Sequence, residues 1–117
     1  MRNLIKVWGK DGCLFFPILF LTSCNFSDKS TSKSVHSVDT VLIQQMQFTP
    51  AELDVQMGDT VLWINKDMVD HNVTEEKSKA FYSDTLGVGK SWKMTVTGSA
   101  DYLCTIHPTM KGKLVLK

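Results

Sequence analysis

Between Val38 and Lys117 the sequence has no arginine, one cysteine and no ten-residue stretch with the 3.6-residue periodicity of a helix. The missing arginine leaves eight lysines against ten carboxylates. With no basic stripe interleaved with aromatics, a nucleic-acid partner is excluded. The missing second cysteine excludes a disulfide scaffold. No apolar run reaches the ~20 residues of a membrane-spanning helix; the clearest, Cys13 to Leu21, is far shorter. There is no internal repeat. The roughly 80 residues from Val38 suffice for one small core and not for two.

What precedes that segment reads as an address. Arg2, Lys6 and Lys10 stand ahead of the apolar run, and small residues follow it, which is the layout of a secretory signal. Its end, Leu21-Thr22-Ser23-Cys24, resembles the bacterial lipobox. That resemblance implies cleavage before Cys24 and lipidation of its thiol; an ordinary signal peptide is the plainer alternative. The expected division is therefore a signal peptide over 1–23, a Ser-, Lys- and Thr-rich flexible tether over 24–37, and a domain over 38–117. Residue His36 falls in the tether, where nothing would fix its geometry. Removing Cys13 and committing Cys24 leaves Cys104 as the one thiol of an exported domain, and such a thiol must be buried or bound to survive an oxidising compartment.

Strand signals dominate the domain. "TVLIQQMQF" (40–48), "ELDVQM" (52–57), "TVLWIN" (60–65), "HNVT" (71–74), "SWKMTVT" (91–97), "DYLCTI" (101–106) and "GKLVLK" (112–117) are short, rich in β-branched and aromatic residues, and separated by turn formers. Alternation in "SWKMTVT" sends Trp92, Met94 and Val96 to one face, whereas "TVLWIN" is apolar on both faces and suits a central strand. About seven such strands predict an all-β, two-sheet sandwich. The stretch 75–89 has the weakest signal and is expected to form a loop or a helical turn.

On this strand map the chemistry gathers near the C-terminus. Cys104-x-x-His107-x-x-Met110 spans the connection into the last strand, and His71 opens an earlier one. Two imidazoles, one thiolate and a thioether as weak axial ligand are the donor set of a blue-copper electron-transfer centre. A structural zinc site would use the Cys and His and leave Met110 without a role. Rival copper chemistries fail on residue counts: a dinuclear centre needs a second cysteine in the loop, and a catalytic copper needs further histidines. No nucleophile and base are paired for covalent catalysis.

The motifs "FTPAELDVQMGDTVLWIN", "HNV", "GSADYLC" and "CTIHPTMKGKLVL", in that order over about Phe48 to Leu116, resemble the cupredoxins, and within them the amicyanin and plastocyanin-like group. The short Cys-x-x-His-x-x-Met spacing is similar to amicyanin. The resemblance implies a Greek-key cupredoxin sandwich and one type 1 copper ion held by His71, Cys104, His107 and, axially, Met110. It further implies that Asn72 directs its backbone N–H at the Cys104 sulfur, that Pro108 stiffens the loop, and that the exposed edge of His107 is the electron portal. Ala100, where the family often has Tyr, and Asp70, where amicyanin has Pro, depart from the pattern without touching a ligand.

The expected function is a lipid-anchored carrier, not an enzyme, passing single electrons between a donor and an acceptor redox protein in the periplasm or at the outer surface. The alternative is copper homeostasis or delivery through the same ligands; a metal-free interaction module is a third reading. Met46, Met57, Met68 and Met94 are read as packing, the alternative for Met68 being a place on the surface near the site. The acidic group Asp67, Asp70, Glu75 and Glu76 is read as a solvated loop, the rival being steering of a cationic partner.

Overall fold

Alternating burial along short strands governs the residues that the computed structural model describes, 33–117, with Ser34–Lys117 as their compact unit. The strands are β1 (Val38–Gln44), β2 (Gln47–Thr49), β3 (Glu52–Val55), β4 (Thr60–Asn65), β5 (Thr74–Glu75), β6 (Ser91–Thr95), β7 (Ala100–Leu103) and β8 (Lys111–Leu116). They form two four-stranded sheets, ordered β2-β1-β4-β6 and β3-β8-β7-β5. The β1/β4 and β3/β8 pairs are parallel and the rest antiparallel. No helix occurs among the described residues.

The sheets meet over one core. Val41, Ile43, Val61 and Trp63 face it from the first sheet, and Val55, Tyr102 and Leu114 from the second. Each such side chain contributes roughly 1.5–3 kcal/mol through burial. Tyr102 is the hub, with Phe48 edge-on at 4.8 Å and Trp63 edge-on at 5.5 Å between ring centroids. Its ring fits because its register partner is Gly112, where a Cβ would overlap the phenol.

Three sequence expectations change in detail. "TVLIQQMQF" is not one strand: it folds back at Gln45-Met46, whose φ values of 54° and 61° are both left-handed, and continues as β2. Neither residue favours that conformation. The turn holds because Gln45 and Met46 both donate their N–H groups to the Asp67 carboxylate, at 2.6 and 3.0 Å. "HNVT" contributes His71 as an isolated bridge to Leu86, with the strand beginning only at Thr74. "DYLCTI" leaves the sheet after Leu103, so Cys104 starts a loop. Past Glu75, which ends β5, the weak stretch 75–89 is loop, with Tyr82 and Leu86 in isolated bridges.

The start of the domain is seated at the other end of the β1/β4 pair. The Ser37 N–H donates to Asp59 Oδ1 at 2.9 Å, and Thr60 N–H donates to the Ser37 carbonyl at 2.9 Å. Because β1 and β4 run parallel, from Val38↔Thr60 to Ile43↔Asn65, the chain enters at the end opposite the Asn65–His71 loop.

Candidate metal centre

His71 is placed by its neighbours on the chain. Asn65, fully buried at the end of β4, donates through Nδ2 to the carbonyls of Val69 (2.8 Å) and Leu86 (2.7 Å), and its Oδ1 accepts from Asp67 N–H at 2.9 Å. These bonds shape the loop that delivers His71. There the backbone pairs with Leu86 in both directions, at 3.1 and 2.7 Å. The imidazole is wholly buried, with Nε2 2.8 Å from Asp67 Oδ2 and Nδ1 3.8 Å from Cys104 Sγ.

Cys104 and Met110 close the loop between β7 and β8. Cys104 N–H donates to the Met110 carbonyl at 3.1 Å, and Met110 N–H donates to the His107 carbonyl at 2.9 Å. Short backbone bonds therefore hold the whole Cys-x-x-His-x-x-Met stretch. Cys104 is 0% and Met110 3% exposed, while His107 is half-buried and Pro108 exposed on the rim. The His107 ring lies against that of His71, with centroids 5.0 Å apart and planes at 63°.

Asn72 latches the two segments together. Its N–H donates to Cys104 Sγ at 3.4 Å, its Nδ2 donates to Thr105 Oγ1 at 2.7 Å, and its Oδ1 accepts from Thr105 N–H at 2.9 Å. The sulfur thus has an imidazole nitrogen on one side and an amide N–H on another.

His71 and Cys104 are the pair in direct reach; His107 meets them through its ring contact with His71, and Met110 is buried at the end of the loop. Among the described residues no three side chains drawn from His, Cys, Asp and Glu converge as a ready-made cation site. A buried free thiol beside an imidazole nitrogen, with a second imidazole and a thioether on a seven-residue loop, fits a soft or borderline metal and not a hard one. Cys24 lies outside the described residues.

Two residues at the centre carry no motif. Asn65 is legible only as a polar residue ending an apolar strand, and Asp67 only as an acid four residues before a histidine. The acidic group is not a uniform solvated loop: Asp67 turns to His71, and Glu75 is buried, accepting from the N–H groups of Lys77, Ser78 and Ala80 and from the Ser78 hydroxyl. Met46 and Met57 are exposed instead of packed, and Met68 lies on the surface.

The fold, two four-stranded sheets with a Cys-x-x-His-x-x-Met loop at one end, defines a cupredoxin. The family model described as copper binding proteins, plastocyanin/azurin family, matches residues 35–117, and the chain belongs to that family, on its amicyanin-like side. Amicyanin from Paracoccus denitrificans is 36% identical over 126 residues, covering 97% of this chain and 89% of the relative. Amicyanin from Paracoccus versutus is 30% identical over 99 residues, covering 78% and 75%. A solved structure of a methionine-to-alanine variant of amicyanin in its Cu(I) form superposes with a TM-score of 0.65 at 33% identity, over 73% of this chain and 87% of that one.

Proposed function

We propose that this protein carries single electrons through one copper ion held by His71, Cys104, His107 and Met110. The observation that carries the reading is the Cys104 thiol, wholly buried with His71 Nδ1 at 3.8 Å and the Asn72 N–H at 3.4 Å. Bound there, copper supplies a one-electron couple between Cu(II) and Cu(I). The chain's part is to keep the donors in place through both states. Asn72 ties the two ligand segments, and the backbone bonds of the 104–110 loop limit rearrangement, which keeps exchange fast.

Burial favours electron carriage over copper delivery. His71, Cys104 and Met110 are each 3% exposed or less, so an acceptor protein's ligands would reach the metal only past His107. An electron needs just the half-buried His107 edge. We further propose that the carrier is exported and held to a bacterial membrane by lipid on Cys24, facing the periplasm or outer surface, and exchanges electrons with a donor and an acceptor redox protein. Entry of the chain at the end opposite the His71 loop supports this, since a tether there leaves the metal end free for partners.

Copper-loaded protein is expected to show a reversible one-electron wave and to exchange electrons rapidly with itself. Transfer of its copper to an apo-acceptor, without reversible redox behaviour, would establish delivery instead.

A further inference from the structure

Asp67 ties the His71 ring to a surface turn. One carboxylate accepts three N–H groups: Gln45 on Oδ1 at 2.6 Å, and Met46 (3.0 Å) and His71 Nε2 (2.8 Å) on Oδ2. Oδ2, which already accepts from the Met46 N–H, acts as acceptor in the 2.8 Å contact as well, so the hydrogen of that bond sits on His71 Nε2. Nδ1 is then left with its lone pair toward Cys104 Sγ.

Resting on the copper reading above, we infer that Asp67 is a positioning residue for the metal centre: it fixes the Nε2–H tautomer of His71, makes Nδ1 a stronger donor, and links the ligand to the Gln45–Met46 turn. A carboxylate behind a ligating imidazole orients the ring and raises its basicity. The added negative charge favours the more positive, oxidised metal. The protein therefore holds its potential lower than the four ligands alone would set it. The link also joins Met46, 43% exposed, to His71 through two hydrogen bonds on one carboxylate oxygen, because the left-handed turn that presents it depends on the same carboxylate.

The test has a metal-free arm and a loaded arm. In the copper-free protein, long-range proton–nitrogen correlation spectra of His71 should show a pure Nε2–H tautomer. Asp67→Ala should give a mixture of tautomers, in a chain whose amide spectrum shows it folded. In the loaded protein, Asp67→Ala and Asp67→Asn should keep the thiolate-to-copper band and raise the potential, with Asp67→Glu, which restores the charge, returning part of the shift. If Asp67→Ala does not fold, Asp67→Asn carries the test, since one amide oxygen can still accept from His71 while the charge is gone. A His71 tautomer and a potential unchanged in these variants would overturn the inference.

Gln45→Asn with Met46→Gly supplies a turn that forms without Asp67. If the effect of Asp67→Ala on the potential vanishes in that background, the turn alone transmits it and the direct role is wrong. Failure of the copper reading is separable: it would show as a loaded wild type without the band, whereas the tautomer result needs no metal.

Discussion

Cys104 is a thiol that the chain shields from solvent yet surrounds with nitrogen: His71 Nδ1 and the Asn72 N–H approach the same sulfur. Packing alone does not account for this, since a core cysteine needs only apolar neighbours. Met110 stands differently. Its buried thioether sits at the end of the loop, and an axial thioether bond in such centres is weak and tunes the potential. Met110→Leu is expected to preserve the blue colour and to raise the reduction potential, because the lost donor favoured the oxidised ion. Voltammetry and an absorption spectrum of the same sample check this; a colourless variant would mean that Met110 is structurally essential to the thiolate bond.

Among the elements, the 66–70 loop depends most on one side chain. Asn65 makes three hydrogen bonds that close it, so Asn65→Ala leaves the Val69 and Leu86 carbonyls and the Asp67 N–H without those partners. Losing them should cost about 2–3 kcal/mol, lowering the melting temperature of the copper-free domain by roughly 10 °C or more. Calorimetry decides it, and a drop of only a degree or two would show that water replaces all three bonds. The strand map was largely legible, because alternation in "SWKMTVT" marks a strand buried on one face and the two apolar faces of "TVLWIN" mark a central one. The hairpin at Gln45-Met46 was not. Neither residue favours a left-handed turn; a carboxylate some twenty positions later imposes it. The loop motif was legible for the same reason that Asp67 was hidden: Cys104, His107 and Met110 have a fixed local spacing, whereas Asp67 acts through contacts that only the fold creates.

Across the described domain, the two sheets place the His71 and 104–110 loops at one end and the entering chain at the other. Glu75, bound foremost by the Ser78 hydroxyl and also by three backbone N–H groups against the opposing effect of burial, is held down at about 2, from an ordinary 4.5. A carboxylate depressed in the folded state stabilises the fold fully above its unfolded value and loses that contribution as pH falls through the folded one. Denaturant titrations should therefore show the wild type losing stability relative to Glu75→Gln between pH 4.5 and about 2. Parallel curves would mean that the Ser78 network does not distinguish the charged form.

The central claim is that the Cys104 thiolate binds copper, and an optical titration of the copper-free protein with Cu(II) tests it most directly. The account predicts an intense blue band that saturates at one equivalent and never develops in Cys104→Ser. Colourless binding by the wild type, or a blue Cys104→Ser protein, would contradict it.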